Sequence, residues 1–333
     1  MKALRTHAVG GPETLVLDDM PEPAPAKGQV RVSVRACSIN FPDTLMIRDL
    51  YQFKPERPYA PGSELAGVID AVGDGVTGWS VGDRVIAMVG NGGLAEKVVV
   101  PVGRLFALPE GVDFATGASL LMTYGTTIHG LKDRGHIKAG DVVLVLGAAG
   151  GVGLSAIELA KAYGARVIAG VSSEEKAQVA RDAGADDVVV YGRAPFDKAQ
   201  SKDLAEKFKA ACGPTGANIV YDIVGGDYSE PALRAIAWEG RFLVVGFPAG
   251  IARLPLNLTL LKSCDVCGVF WGAFTAREPE RFKAQVAGLF DLLKAGKINP
   301  RVSARFSLDE GSQAIAMLEN RQAMGKVVVE MIG

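Results

Sequence analysis

Val142-Val143-Leu144-Val145-Leu146-Gly147-Ala148-Ala149-Gly150-Gly151-Val152-Gly153 is the stretch on which the reading of this chain turns. Five apolar residues give a short buried strand, and the glycines after them give a tight turn. Val152, Ala156, Ala160 and Tyr163 then recur at a spacing that keeps them on one face of a helix. In the register G-x-G-x-x-G the first position is Ala148, a departure from the pattern, while Gly150 and Gly153 supply the other two. Gly150 lets a backbone approach a pyrophosphate and Gly153 lets the helix pack on the strand. Ala149, Gly151 and Val152 complete the cradle, where a helix N-terminus aims N–H groups at an anion. The competing reading of the same residues is a strand–helix turn with no ligand.

Downstream, short β-branched runs at Arg166–Ala169, Asp187–Val190, Ile219–Asp222 and Phe242–Val245 alternate with longer amphipathic stretches. That rhythm predicts an α/β domain with a doubly wound parallel sheet. Binders of NAD normally place an Asp or Glu about 20 residues beyond the glycines, on the ribose hydroxyls. Here the second strand ends Ile168-Ala169-Gly170-Val171-Ser172-Ser173, without a carboxylate. Ser172, Ser173 and the Lys176 ammonium suit a 2′-phosphate better than a bare diol, so the expected cofactor is NADPH. Tyr191, at the end of the third strand, is a further candidate contact at the adenosine end. Ser172-Ser173-Glu174 also reads as a helix cap, and the two roles are compatible.

Upstream the period changes to two. Val30, Val32 and Val34 alternate with Arg31, Ser33 and Arg35, and strands at Leu65–Val72, Arg84–Val89 and Glu96–Val100 follow between glycine-rich turns. Pro21, Pro23 and Pro25 make the preceding segment an extended connector. The expected organisation is a β-rich catalytic domain over 1–119 and a dinucleotide-binding domain over 120–262. The remaining segment, 263–333, is expected to hold an edge strand, Cys264–Trp271, and then strand-like Arg301–Phe306 and Lys326–Val329, which return to complete the first domain. A helix with Phe282, Val286, Leu289, Phe290 and Leu293 on one face lies between. A length of 333 residues suits two domains.

Lys plus Arg at 36 nearly cancels Asp plus Glu at 37, so no global field draws the chain to nucleic acid or anionic lipid. No apolar run approaches the ~18 residues of a membrane span, and Met1-Lys2-Ala3-Leu4-Arg5-Thr6-His7 has no signal-peptide core, so a cytoplasmic location is expected. Four cysteines make no disulfide framework for a chain of this length. Cys264 and Cys267 point to opposite faces of a strand, and His7, His129 and His136 are scattered; neither set reads as a metal site.

Several motifs in order now carry a resemblance: Asn40-Phe41-Pro42-Asp43, Pro61-Gly62-Ser63-Glu64-Leu65-Ala66-Gly67, Gly82-Asp83-Arg84-Val85, Tyr124-Gly125-Thr126, the 148–153 turn, Asp222-Ile223-Val224-Gly225-Gly226 and Ala237-Trp238-Glu239-Gly240-Arg241. The chain resembles the medium-chain dehydrogenase/reductase superfamily and, within it, the zinc-free NADPH:quinone oxidoreductase family. The resemblance implies a GroES-like domain built from both chain ends around a Rossmann domain, with nicotinamide in the cleft between them. It also implies a homodimer joined through the Rossmann edge strand at 264–271. Zinc members carry Cys or His at the positions of Asn40 and Ser63 and a Cys near Met122; these side chains offer neither thiolate nor imidazole, so no metal is expected.

By the same resemblance Asn40 lies near the nicotinamide and donates an amide hydrogen bond to cofactor or substrate, and Asp43 orients its loop. Tyr51 matches an active-site tyrosine, either a donor to the acceptor oxygen or a pocket wall; a second family tyrosine is replaced by Leu45. Thr126, Gly246-Phe247 and Phe270-Trp271 match segments that face the cofactor, with core or dimer packing as the alternative for the aromatic residues. Without a Lewis acid, hydride transfer favours electron-poor acceptors, so the expected substrates are quinones or α,β-unsaturated carbonyls. An enoyl-thioester reductase and a non-catalytic NADPH-sensing protein are the competing functions.

Overall fold

The computed structural model describes residues 1–331. The chain divides into two compact units: Thr123–Asn299, and Met1–Met122 with the segment from Pro300 onward. The expected 263–333 segment is thus split at Asn299. Its first part stays with the dinucleotide unit and the remainder joins the N-terminal unit; its last two residues lie outside the described ones.

In the Thr123–Asn299 unit six strands form one parallel sheet: β1 (Val142–Leu146), β2 (Arg166–Val171), β3 (Asp187–Val190), β4 (Ala217–Asp222), β5 (Ile236–Val244) and β6 (Asp265–Gly268). Their order is β3-β2-β1-β4-β5-β6, the doubly wound Rossmann arrangement that the run-and-helix rhythm predicts. Val143, Leu144, Val145 and Leu146 are all fully buried, as a strand covered on both faces requires. Helix α1 (Gly151–Ala162) follows β1 and buries Leu154, Ala156, Ile157, Leu159 and Ala160; helix α2 (Glu174–Asp182) follows β2. Phe208 and Phe242 anchor the core beside Tyr228, each such aromatic contributing ~1.5–3 kcal/mol by leaving water.

One boundary differs. The strand expected over Cys264–Trp271 stops at Gly268, and Trp271 opens a helix, Trp271–Arg277. The cause is packing: Trp271 is 4% exposed, edge-on to Phe282, and its ring lies so near Gly125 that a Cβ there would come within 2.6 Å of it.

The other unit is a seven-stranded sheet in the order Val302–Ser307, Lys326–Glu330, Gln29–Ile39, Glu64–Val72, Arg84–Met88, Leu105–Ala107, with Lys97–Pro101 also pairing with Gln29–Ile39. All pairs are antiparallel except the first, which is parallel. The C-terminal tail therefore completes this sheet, as expected. Along Gln29–Ile39 the alternation of buried Val30, Val32 and Val34 with outward Arg31, Ser33 and Arg35 stops; Ala36, Cys37, Ser38 and Ile39 are buried on both faces. A polar side chain, Ser38, thereby enters the interior, and the strand delivers its end, Asn40, there too.

Candidate functional site

The turn after β1 is held by backbone. Ala148 N–H donates to the Gly170 carbonyl at 3.1 Å, Gly150 N–H to the Gly147 carbonyl at 3.1 Å, and Gly147 N–H to the Tyr191 hydroxyl at 3.2 Å. Each glycine has a separate reason. Gly147 has φ +68, a left-handed conformation. At Gly153 a Cβ would lie 2.4 Å from the Gly147 oxygen and 2.6 Å from the Ala148 Cα, so the helix could not close on the turn. At Gly150 a Cβ would meet only the Gly147 oxygen, at an ordinary 3.6 Å. The protein itself does not need a glycine at 150, so the space is available to something outside it. Gly150 also caps α1 without any side-chain hydrogen bond, leaving the first N–H groups of the helix for an anion. The residues present therefore fit a dinucleotide pyrophosphate.

The carboxyl edge of the sheet collects most of the remaining candidates. At the end of β2, Ser173 caps α2 by accepting from Lys176 N–H at 3.3 Å, so the capping reading holds; Lys176 Nζ donates to Ser172 Oγ at 3.4 Å, placing amine and hydroxyl side by side. After β4, buried Asp222 accepts from Val224 N–H, Gly225 N–H and Ser229 Oγ, and fixes a loop whose Val224 would touch a Cβ at Gly147. Burial raises its carboxyl against those three donors. Gly246 N–H donates to the Asp222 carbonyl, which brings Gly246-Phe247 beside that loop. Ligands of open α/β sheets bind along this edge.

The structure places three further candidates as follows. Tyr191 is buried against Tyr228 and spends its hydroxyl on Gly147 N–H, so it supports the turn itself. Trp271 is core, whereas Phe270 beside it is 59% exposed. Thr126 sits half-buried on the helix Leu121–Ile128, whose neighbours Thr127 and Tyr124 bond Ser155 and Glu158 of α1.

In the other unit, sheet register assembles a buried polar cluster. Ser38 lies opposite Glu64 and Ile39 opposite Val327, so Ser38, Asn40, Glu64 and Lys326 meet at one end of three adjacent strands. Lys326 Nζ donates to Asn40 Oδ1 at 2.6 Å and to Glu64 Oε2 at 3.4 Å; their side chains are 3% and 1% exposed for Lys326 and Glu64. Glu64 Oε2 also accepts from Ser38 Oγ at 2.9 Å and Asn40 Nδ2 at 3.1 Å, and its Oε1 accepts from Met122 N–H at 2.9 Å. An ammonium only donates and a carboxylate only accepts, so the amide of Asn40 has a single orientation. Its nitrogen is shared between Glu64 and the Ser38 carbonyl. The amide expected to donate to cofactor or substrate thus has internal acceptors in Glu64 and Ser38.

Asp43 does orient its loop: Oδ2 accepts from Asn40 N–H at 2.8 Å and Oδ1 from Gly62 N–H at 3.1 Å. Full burial pushes its carboxyl up to about 6, against the pull of those N–H groups and of Lys326. Tyr51 is half-buried, and burial together with the Asp43 charge raises its phenol. Sequence reading missed Ser38 and Lys326 and saw Glu64 only inside a motif. The available signal was a lysine opening an otherwise apolar run, Val327-Val328-Val329: a buried charge needs a partner.

Asn40, Ser63 and Met122 are a poor donor set for zinc, and the ammonium of Lys326 beside Asn40 adds a repelling charge. Among the described residues no three His, Cys, Asp or Glu side chains are grouped to hold a metal ion, and no helix is long and apolar enough to cross a membrane.

A parallel Rossmann sheet carried in one chain with an antiparallel sheet made from both chain ends defines a medium-chain dehydrogenase/reductase. Residues 26–110 match the alcohol dehydrogenase GroES-like domain and 151–291 the zinc-binding dehydrogenase domain. The chain belongs to the quinone oxidoreductase family of that superfamily: it is 38% identical to a quinone oxidoreductase-like protein 2 homolog of Nematostella vectensis over 90% of this chain and 81% of that one. The mycobacterial protein Rv1454c, solved in complex with NADPH, superposes with a TM-score of 0.90 at 34% identity over 99% of this chain and 100% of that one. Escherichia coli quinone oxidoreductase, also solved with NADPH, gives 0.89 at 29% identity over 99% and 100%.

Proposed function

We propose that this protein is an NADPH-dependent oxidoreductase that reduces a quinone or an α,β-unsaturated carbonyl by hydride transfer without a metal. The observation that carries the proposal is the combination, in one chain, of an open pyrophosphate turn at Gly150 with Asn40 and Ser63, and the surroundings of Met122, where the resemblance puts the ligands of zinc members but no thiolate or imidazole stands. Two relatives of matching fold were solved with NADPH, and the absence of a carboxylate at the end of β2, where Ser172 and Ser173 stand with Lys176 beside them, supports the phosphorylated cofactor.

When bound, the reduced nicotinamide supplies the hydride. The protein's part is to position and to hold protons. The 147–153 turn and the α1 N-terminus take the pyrophosphate; Ser172 and Lys176 take the 2′-phosphate; Asp43 fixes the 40–43 turn through Asn40 and Gly62 N–H. Tyr51, whose phenol is held protonated by burial and by the Asp43 charge, donates to the acceptor oxygen on which negative charge develops. The hydride and one proton together convert a quinone to its hydroquinone, a balanced two-electron reduction.

NADPH oxidation should be followed with 1,4-benzoquinone, 9,10-phenanthrenequinone, small enones, enoyl-CoA esters and a saturated ketone. Turnover with quinones or enones and none with the ketone is the expected result, and Tyr51→Phe should lower kcat about 10-fold or more. Turnover confined to enoyl-CoA esters would move the protein to the enoyl-thioester reductases; binding of NADPH without oxidation would make it a sensor.

The proposal extends to a homodimer formed through β6, within the 264–271 segment. That strand ends the sheet, its Val266 is 42% exposed, and the preceding helix Asn257–Lys262 leaves Leu260 and Leu261 open to solvent. Pairing across a two-fold axis would satisfy the edge. A monomer in sedimentation at micromolar concentration would remove this part. Four free thiols, Cys37, Cys212, Cys264 and Cys267, support a reducing compartment such as the cytoplasm.

A further inference from the structure

We propose that Lys326 is a positioning residue of the reduction site: its ammonium, balanced by Glu64, locks the Asn40 amide and thereby fixes the 40–43 turn that carries Asp43. The inference rests on the proposed reductase function for its kinetic consequence and on geometry for its substance. Three contacts define the lock. Lys326 Nζ reaches Asn40 Oδ1 at 2.6 Å, Glu64 Oε2 takes Asn40 Nδ2 at 3.1 Å, and Asn40 N–H closes onto Asp43 Oδ2 at 2.8 Å. The side chain of Asn40 is thus held by Glu64 and Lys326, from strands Glu64–Val72 and Lys326–Glu330, and its backbone by Asp43 of the helix Phe41–Met46.

The pair is not an ordinary structural salt bridge. Its ammonium is closer to the neutral amide than to the carboxylate, 2.6 Å against 3.4 Å, so the lysine is spent chiefly on Asn40. Glu64 divides itself in the same sense, one oxygen on the amide and Ser38 and the other on the Met122 N–H. An apolar pair of equal volume would hold the strands together as well as, or better than, two desolvated charges. What such a pair could not do is fix which way an amide faces.

The groups that share this interior are Asp43, Glu64, Lys326, Cys37, Tyr51 and Tyr59, and all three tyrosine and cysteine side chains feel the Asp43 charge. Lys326 pulls the Asp43 carboxyl down against its burial. Removing the ammonium therefore releases the turn and also raises the Asp43 carboxyl further.

The test uses the full-length protein with Lys326→Met, Lys326→Met/Glu64→Gln and Lys326→Arg. Three readouts are needed: Tm, kcat and KM for NADPH oxidation, and hydrogen exchange of the 38–46 peptide. Lys326→Met alone should lower Tm by stranding Glu64. The double variant should recover most of that Tm, yet keep kcat reduced on the order of 100-fold with KM for NADPH unchanged. Exchange of the 38–46 peptide should be at least ~10-fold faster than in the parent, while the 142–163 region is unaltered. Lys326→Arg keeps the charge but cannot reproduce the single short contact, and should stay folded with kcat lowered.

Parent-like kcat and exchange in a double variant of parent-like Tm would overturn the proposal, leaving only a structural pair. Parent-like kcat and exchange in folded Lys326→Arg would overturn it as well, as would a fall in kcat that merely follows a collapse in Tm. If the parent fails to oxidise NADPH with every acceptor of the panel, the reductase reading fails, while the exchange measurement still decides whether Lys326 holds the turn.

Discussion

The glycine turn of the Rossmann unit and the polar end of the antiparallel sheet solve the same problem, placing charge-binding groups accurately, by opposite means. The turn works through backbone N–H groups and missing side chains. Nothing between Gly147 and Gly153 titrates, and its precision comes from steric necessity at Gly147 and Gly153. The sheet end works through buried side chains, Asn40, Asp43, Glu64 and Lys326, whose positions depend on one another. The first device is rigid and indifferent to pH; the second is tunable and pH-sensitive. Substitutions that act on one and spare the other expose the difference.

The largest effect is expected at the turn. Gly153→Val sets side-chain carbon against the Gly147 oxygen and the Ala148 Cα, both backbone atoms that cannot yield without moving β1 or α1. A loss of about 3–5 kcal/mol in unfolding free energy is expected from denaturant titration. Gly150→Ala is the matched control, since its Cβ would meet only ordinary contact and its φ of −78 suits any residue. That variant should keep its Tm and lose affinity for the dinucleotide. Equal stability losses in the two variants would abolish the distinction between a glycine kept for packing and one kept for a ligand.

At the polar end the expected effect is smaller and depends on pH. Asp43 has a folded pKa of about 6 against an ordinary 3.8, so the unfolded chain releases its proton more readily than the folded one. Its contribution is fully present below about 3.8 and is lost as pH rises through about 6; the difference corresponds to about 3 kcal/mol at most. Asp43→Asn removes this titration and, by turning an amide N–H toward Asn40 or Gly62 N–H, adds a penalty that pH does not change. The stability of the parent relative to Asp43→Asn should therefore grow as pH falls from 7 to 4. A difference that stays flat over that range would show that burial does not perturb this carboxyl.

The contrast also explains what could be read from sequence. A device made of glycines and a run of valines is local, so β1, the turn and α1 are legible in the stretch from Val142 to Tyr163, and the doubly wound parallel sheet follows from the rhythm of the later runs. The polar cluster joins residues 38, 40, 43, 64 and 326, and only strand pairing reveals that Lys326 faces Asn40. Asn40 is legible as a candidate, but the internal partner of its amide oxygen is not, because Lys326 lies 286 positions away. The tie between Tyr191 and Gly147 was hidden for a related reason: a hydroxyl that accepts from a backbone N–H is shown by no side-chain pattern. Trp271 looked like strand because Val266 and Val269 precede it, and became helix because Gly125 leaves its ring a place in the core.

Cofactor choice gives the smallest and most specific effect. Lys176 contributes twice, through its N–H to the Ser173 cap and through Nζ beside Ser172. Lys176→Ala keeps the first and deletes the second, so the helix and the serines should stay in place. A charge-assisted hydrogen bond to a phosphate is worth about 2 kcal/mol, which corresponds to roughly a 30-fold change in affinity. The preference for NADPH over NADH, measured as a ratio of dissociation constants by fluorescence titration, should fall by about that factor. The whole change should appear in NADPH, because NADH has no 2′-phosphate for the amine to meet. An unchanged ratio would mean that Ser172 and the helix N-terminus read the phosphate without the lysine. A loss shared equally by both cofactors would mean that Lys176 supports the fold of this edge and not the phosphate.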